Sequence, residues 1–398
     1  MSELTKEKAK KLYMSADLSH HEFSVSTDEQ DKLISELNRR EDAEASRIKR
    51  YLAMSDLSRT DGSPIHEIIE RVTVLPIFKG FDHIQTPEIV PVKESFDLFD
   101  FPLEHPARST SDTYYVNKEN ILRTHTTVMW YYYLGRPDIK EKIKKDENIG
   151  VLSYGKVYRK DEIDRHHMNI FHQMDGLYLC KNDKHVITKE DLQDVLVEVA
   201  QSVFGKDIKY KFNPDNFPYT HSSIEMEIDK DGKWVEVLGA GVVEPSVLEK
   251  LGVDSKQYNG WAFGFGLERL AIISMELPDI RLLWSEDPRV IKQLKLGNKF
   301  VEVSKYPPIV RDISFVVENN FIPNDYFDVV RELAPGLIEQ VELIDKYENV
   351  EKFGAENVSY AYRITYRSLD RTLTASEIDI LHKKLENVTR GTYNATIR

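Results

Sequence analysis

The strand-forming runs in the middle of this chain come in pairs, 150–158 with 176–179 and 224–228 with 234–238, and no helix intervenes within either pair. A parallel doubly wound sheet needs a crossover helix between nearly every two strands, so these pairs read as hairpins of an antiparallel sheet. Helical spacing over 189–204 supplies a helix to flank it. With 398 residues, 41% of them hydrophobic, the chain can bury a large core and form two or three domains. No run of about eighteen apolar residues occurs, which excludes a membrane-spanning helix and makes a membrane an unexpected partner.

Upstream, Ser63 is placed to cap a helix with Pro64 at its first position, and Ile65, Ile68, Ile69, Val72 and Leu75 form its apolar stripe. Pro76 should end or kink it, with Phe78 and Gly80 closing the stripe if it survives. Residues 81–92, with Pro87 and alternating apolar side chains, then read as an extended strand. Residues 1–62 are strongly polar, and 27–54 carries charges with scattered apolar residues at helical spacing. One or two exposed helices are expected there, either as a packing or solvated arm or as an arm touching RNA.

The tail reads as strand 312–317, helix 323–333, strand 338–347, strand 358–367, helix 375–389 and a short last strand. That βαββαβ order is the ferredoxin-like plan. Pro307 and Pro308 resist any regular element and mark the boundary before it. The expected fold class is therefore α+β, divided as an extension 1–62, a central domain 63–290, a linker 291–304 and a ferredoxin-like domain 305–398.

Lys and Arg number 54 against 67 Asp and Glu, a formal charge of −13, so the chain cannot grip nucleic acid over its whole surface and any such contact is local. One cysteine, Cys180, permits neither an internal disulfide nor a cysteine-based zinc site and suits a reducing compartment. The leading residues are rich in acids and lack arginine, unlike a transit peptide, so a cytoplasmic location is expected, with the mitochondrial matrix as the alternative.

Two segments carry chemistry. Val157-Tyr158-Arg159-Lys160-Asp161 is followed after a loop by Phe171-His172-Gln173-Met174-Asp175-Gly176. An arginine at a strand end places a rigid charged fork where a phosphate can meet it, although a surface ion pair would look the same. Trp261-Ala262-Phe263-Gly264-Phe265-Gly266-Leu267-Glu268-Arg269 has glycines that let backbone approach a planar ligand and an arginine opening the next helix. A glycine pair in a strand also serves packing alone.

In this order the two segments resemble motifs 2 and 3 of class II aminoacyl-tRNA synthetases, and the Pro64 helix with the Pro87 strand resembles motif 1. Within that class, His105-Pro106-Ala107-Arg108, Asp112-Thr113-Tyr114-Tyr115, Arg123-Thr124-His125-Thr126-Thr127, Phe171-His172-Gln173 and Phe217-Pro218-Tyr219-Thr220 look like the single-chain, mitochondrial-type phenylalanyl-tRNA synthetases. The likeness spans residue 63 to the C-terminus, its tail being similar to the anticodon-binding domain of that family.

The resemblance implies an antiparallel class II catalytic domain that makes phenylalanyl-adenylate from ATP and passes phenylalanine to tRNA(Phe), and it implies a monomer, as single-chain relatives are, with a dimer through the motif 1 helix, as in most class II enzymes, as the alternative. Arg159 would hold the α-phosphate and Arg269 the γ-phosphate, with Asp161 also at ATP and Phe171 stacked on adenine. His125, Thr127, Gln173 and Asp175 would surround the ammonium and carboxylate of the amino acid. Phe217, Tyr219, Ala262 and Gly264 would line the ring pocket, and Glu236 would help hold Mg2+. This sequence departs from the family pattern at Thr127 (usually serine), Trp130 (commonly glutamine), Asp161 (often glutamate) and Tyr219 (usually phenylalanine). The chemistry fits those roles, because adenylation needs two anions brought together and developing charge neutralised, not a protein nucleophile.

In the tail, 360–367 alternates Arg363 and Arg367 against tyrosines and Ile364, and Arg371 follows. The basic side is a candidate tRNA-binding surface, or the outer face of an ordinary sheet. Two rivals to a ligase remain: a non-catalytic RNA-binding relative, against which Arg159, Gln173 and Arg269 argue, and an enzyme adenylating another small acid, which Thr127, Trp130 and Tyr219 leave open.

Overall fold

Hairpins form where the pairing pattern requires them. The computed structural model describes residues 21–162, 164–303 and 306–398. Residues 1–20 of the expected extension, and positions 304–305 where the linker was to meet the last domain, lie outside the described residues. The chain divides into two units: the first holds the chain up to Tyr158, Ile170–Met275 and Lys295–Asn298, and the second Arg159–Asn169, Glu276–Leu294 and Lys299–Arg398.

The first unit contains β1 (Glu22–Ser24), β2 (Asp82–Gln85), β3 (Ile89–Pro91), β4 (Asn120–Leu122), β5 (Ile149–Tyr158), β6 (Ile170–Lys181), β7 (Tyr210–Pro214), β8 (Thr220–Lys230), β9 (Lys233–Val243) and β10 (Tyr258–Gly266). Eight of these make one sheet in the order β1-β2-β5-β6-β10-β9-β8-β7. From β5 to β7 every neighbour is antiparallel, while β1, β2 and β5 run parallel at one edge. The expected single strand over 81–92 is two strands, because Pro87 has no N–H for a ladder: β2 joins the large sheet and β3 pairs with β4.

The helix Pro64–Thr73 starts as expected, with the Ser63 hydroxyl accepting from the Ile65 amide at 3.2 Å, and it buries Ile65, Ile68, Ile69 and Val72. It stops before Pro76, which opens a separate 3-10 turn, Pro76–Phe78; Gly80 at φ 83° then turns the chain into β2. The helix Lys189–Phe204 has reciprocal caps between Thr188 and Asp191 and buries Leu192, Val195, Leu196 and Val199.

Two helices, Asp28–Arg39 and Ala43–Ala53, occupy the polar N-terminal stretch, but they are not simply exposed. Leu33, Leu37, Ala45, Ile48 and Tyr51 are buried. The Gln30 side-chain amide oxygen accepts from the Glu88 amide at 2.9 Å, and the Arg40 guanidinium donates to the Val116 carbonyl at 3.0 Å. Amphipathic spacing that looked diluted by charge thus marks one docked face.

In the second unit, β11 (Ile309–Glu318), β12 (Ile338–Tyr347), β13 (Asn357–Tyr366) and β14 (Thr396–Ile397) form an antiparallel sheet in the order β12-β13-β11-β14. The helices Pro323–Leu333 and Ala375–Tyr393 complete the ferredoxin-like βαββαβ plan. Tyr326, Phe327, Tyr362, Ile364, Tyr366, Ile378 and Leu385 fill its core with Phe315. The last helix runs past 389 because Asn394, at φ 50°, supplies the left-handed cap. No helix among the described residues is long and apolar enough to cross a membrane.

Candidate active site

Successive residues of a strand face opposite ways, so Phe171, Gln173 and Asp175 share one face of β6 while His172 and Met174 are buried behind it. In the neighbouring β10, Gly266 lies opposite Gln173, and Gly264 opposite Asp175. A side chain at 264 would place its Cβ 2.8 Å from Asp175 Oδ1, so only glycine leaves that carboxylate its place. Asp175 is buried and accepts from the Thr127 hydroxyl at 2.8 Å and from the Thr126 hydroxyl. Both hydroxyls belong to the turn Thr126–Val128 that follows His125. The Gln173 amide oxygen is buried and accepts no hydrogen bond from the protein.

Beside this polar corner lies an aromatic group. Phe217 and Tyr219, just before β8, stack with centroids 6.0 Å apart. Tyr219 also lies 5.9 Å from Trp130, 5.6 Å from Phe99 and 6.0 Å from Phe101. His125 stacks on Phe101 at 6.0 Å, and its Nε2 lies 3.2 Å from the Ser95 carbonyl. Gly239 in β9 makes room for Phe217, whose Cζ would lie 2.9 Å from an added Cβ. Ala262 is buried in the same core as Trp130, with Tyr219 packed against it. Phe99 and Phe101 were not singled out from the sequence; their nearness to His105-Pro106-Ala107-Arg108 was the available signal. Arg108 of that run braces them, donating to the Phe101 carbonyl at 2.7 Å and pairing with Asp97 at 2.7 Å. Arg123 is likewise a buried brace, bonded to the Lys156 and Thr86 carbonyls.

The helix Leu267–Met275 leaves β10 and carries Glu268 and Arg269 in its first turn. Arg269 is half exposed and rests on Glu236, 3.2 Å from its carbonyl and 3.7 Å from its carboxylate. Glu268 turns inward: its two oxygens accept from the His172 amide at 2.9 and 2.8 Å, and Oε1 lies 2.6 Å from His172 Nδ1. His172 Nε2 stands between a donor, the Leu57 amide at 2.9 Å, and an acceptor, Asp56 Oδ1 at 3.3 Å. Burial alone would lower the His172 pKa, but the Glu268 and Asp56 carboxylates outweigh it and hold it up at about 9; the charged ring directs its Nε2–H to Asp56, whereas the neutral ring accepts the Leu57 amide there. Among the described residues no group of three His, Cys, Asp or Glu gathers to hold a metal. Glu236 holds Arg269 through its carbonyl and its carboxylate.

The other residues named from the sequence, Arg159, Asp161 and the arginines of the tail, belong to the second unit. Arg159 and Asp161 begin the β5–β6 connection, which the Arg159 amide closes onto the Asn169 carbonyl at 3.0 Å. This connection is tied to the helix Pro323–Leu333: Lys160 pairs with Asp325 at 2.7 Å, Asn324 donates to the Lys160 carbonyl at 2.7 Å, and Arg331 donates to the Asp161 carbonyl at 3.0 Å. Arg363 is exposed and pairs with Asp312 at 2.8 Å. Arg367 pairs with buried Glu339 and donates to the Tyr306 carbonyl at 2.9 Å, and Arg371 pairs with Glu377. All three arginines of the expected RNA surface thus already hold carboxylates.

The profile of the tRNA synthetases class II core domain (F) family matches residues 50–294, and that of the ferredoxin-fold anticodon binding domain matches 304–398. The chain is 35% identical over 351 residues to the mitochondrial phenylalanine–tRNA ligase of Mus musculus, covering 78% of this chain and 73% of the relative. It is 35% identical over 371 residues to the mitochondrial phenylalanine–tRNA ligase of Dictyostelium discoideum, covering 78% of each. With the chloroplastic/mitochondrial phenylalanine–tRNA ligase of Arabidopsis thaliana it shares 36% over 332 residues, 81% of this chain and 73% of the relative.

Proposed function

The chain belongs to the class II tRNA synthetases, in their phenylalanine branch, and from that premise we infer that it activates phenylalanine with ATP and esterifies it to tRNA(Phe). The observation that carries this reading is a polar corner at Asp175 set beside an aromatic wall, Gly264 facing Asp175 and its strand partner Gly239 making room for Phe217. Asp175 and the unsatisfied Gln173 oxygen offer acceptors to an ammonium, while Phe217, Tyr219 and Ala262 offer an apolar wall to a ring. A buried acceptor without a donor is costly, and the substrate ammonium supplies the donor. Thr127 and Thr126 orient Asp175, and His125 stands on Phe101 at the chamber's edge.

For ATP we assign Arg159 to the α-phosphate, Arg269 to the γ-phosphate, Asp161 to the nucleotide and Phe171 to the adenine face. The reaction is an in-line attack of the amino-acid carboxylate on the α-phosphorus, so positioning and charge neutralisation are what these side chains provide. Mg2+, which Glu236 would help hold, neutralises phosphate charge when bound. The catalytic and anticodon-binding functions divide between 63–290 and 305–398. The apolar stripe of the Pro64–Thr73 helix is buried within its own unit, which supports a monomer. The names of the relatives favour an organellar site of work over a cytoplasmic one.

The test is pyrophosphate exchange with each of the twenty amino acids, followed by charging of tRNA(Phe). Exchange with phenylalanine and charging are expected together; silence with every amino acid, or exchange with a different one only, overturns the reading. Within it, Ala262 is assigned to crowd the para position of the ring, because an apolar pocket rejects an added hydroxyl by only about a hundredfold. Ala262→Gly should therefore activate para-halogenated phenylalanines in the same assay, and analogue activity equal to wild type removes Ala262 from that role.

Arg363 and Arg371 are assigned to tRNA phosphates. Removing either also uncovers the acid it neutralises, Asp312 or Glu377. Alanine at either position should weaken charging several-fold and flatten its salt dependence while leaving exchange intact. Equal loss in exchange and charging contradicts that division.

A further inference from the structure

We propose that Asp56, His172 and Glu268 form a positioning column that holds the Arg269 helix in register with the strand presenting Phe171, Gln173 and Asp175. The column rests on the reading above, in which Arg269 meets ATP and Gln173 and Asp175 meet the amino acid.

The β6–β10 ladder ends at Gln173 opposite Gly266, and beyond it the chain leaves the sheet for the helix Leu267–Met275. The next amide on that side of β6, His172 N–H, would be left without a strand partner in the interior. Glu268 takes its place, accepting that amide with both oxygens, so its side chain extends the ladder by one step. The same carboxylate binds the His172 ring, which Asp56 holds from the far side. Two residues of the motif 2 strand and two of the motif 3 helix are thereby fixed as neighbours. His172 and Gln173 are consecutive with opposite faces, and Glu268 is followed directly by Arg269.

The column is buried: His172 is 0% exposed and the Glu268 side chain 4%. Its charged surroundings are defined. Arg59 lies 3.6 Å from Asp56, whose Oδ1 also accepts from the Ser58 hydroxyl at 2.5 Å. Lys156 lies opposite His172 in β5, but its ammonium is held by the Leu52 and Met54 carbonyls at 2.9 and 2.7 Å and by Glu88 at 3.3 Å. Two carboxylates therefore face the ring; Arg59 pairs with one of them, Asp56, and Lys156 is held elsewhere, so Glu268 and Asp56 both favour the charged imidazole. A buried ion pair is a poor source of net stability but a good means of fixing one geometry. The amino-acid chamber has separate braces, the two threonine hydroxyls on Asp175. Loosening the column should therefore disturb ATP and spare phenylalanine.

The experiment measures phenylalanine-dependent pyrophosphate exchange by the full chain from about pH 6.5 to 10, across the range in which an elevated histidine titrates. It compares wild type with His172→Gln, Glu268→Gln and Asp56→Asn. At neutral pH the first two should raise the KM for ATP about tenfold or more while the KM for phenylalanine stays within about twofold. Wild-type exchange should fall through an alkaline limb centred near the His172 pKa of about 9. Asp56→Asn removes one of the two carboxylates holding the proton and should move that limb down by about one pH unit or more, and His172→Gln should abolish it. Asp56 contacts no substrate under this reading, so its variant decides the matter even if the core variants fail to fold. An unmoved limb in Asp56→Asn, or equal rises in both KM values, overturns the column. Wild-type protein without phenylalanine-dependent exchange overturns the functional reading itself.

Discussion

Arg269→Ala is expected to lower phenylalanine-dependent pyrophosphate exchange by about 10²–10³-fold while leaving the melting temperature nearly unchanged, since one preorganised charge-stabilising donor is worth about 2.7–4 kcal/mol in a transition state. Stability is spared because of what Arg269 touches in the free protein. Its guanidinium is half exposed and, among the described residues, meets Glu236, at 3.2 Å to the carbonyl and 3.7 Å to the carboxylate. An exposed pair of that kind contributes about 0.2–1 kcal/mol. Swinging from Glu236 to a phosphate therefore costs little, and the charge gains a partner carrying more negative charge. Arg269→Lys keeps the charge without the planar fork and should recover only part of the loss. Exchange rates at varied ATP, beside thermal melts, check both halves. A fall of less than about threefold would remove Arg269 from the nucleotide, since it corresponds to under about 1 kcal/mol.

The predictability of this chain divides along the same line between local and distant contacts. Elements with local punctuation were legible: the helix Pro323–Leu333 and the strand Ile338–Tyr347 begin and end as the sequence predicts. The Ser63-Pro64 start was equally plain in local chemistry, whereas the caps at Thr188 and Thr374 were not read from the sequence. Strands that carry function were read short. The pattern marks 176–179, yet β6 spans Ile170–Lys181, because Phe171, His172, Gln173 and Asp175 are chosen for a ligand and for Glu268 rather than for alternation. Polar side chains on both faces erase the period-2 signal where the site is built.

Partners far apart in sequence were not legible at all. Arg108 and Arg123 stand out as motif residues, but their work is to hold the Phe101, Lys156 and Thr86 carbonyls. The alternation of 360–367 correctly separates exposed Arg363 from buried Tyr362, Ile364 and Tyr366. It gives no hint that Asp312 and Glu339, on β11 and β12, already neutralise Arg363 and Arg367. Likewise the N-terminal helices looked solvated until β3 and the segment near Val116 supplied the surfaces they cover. Amphipathic spacing says that a face is buried only once a partner is in place.

Asp175→Asn separates recognition of the amino acid from the integrity of its chamber. Asparagine has the shape of aspartate, keeps an oxygen for the Thr127 hydroxyl now at 2.8 Å, and can turn its amide toward Thr126, whose hydroxyl accepts as readily as it donates. The corner should therefore stay formed, with Gly264 still leaving the isosteric side chain its place. What disappears is the negative charge. Losing one member of a close buried charge pair costs about 2–5 kcal/mol, so kcat/KM for phenylalanine should fall by about a hundredfold or more, mainly through weaker binding, while the KM for ATP moves little. A competitor without the ammonium, 3-phenylpropionate, has nothing for that charge to hold and should inhibit the variant at least as well as wild type. If the variant keeps its phenylalanine kcat/KM within about threefold, or loses 3-phenylpropionate together with phenylalanine, then Asp175 shapes the chamber without reading the ammonium, and Gln173 must carry that recognition alone.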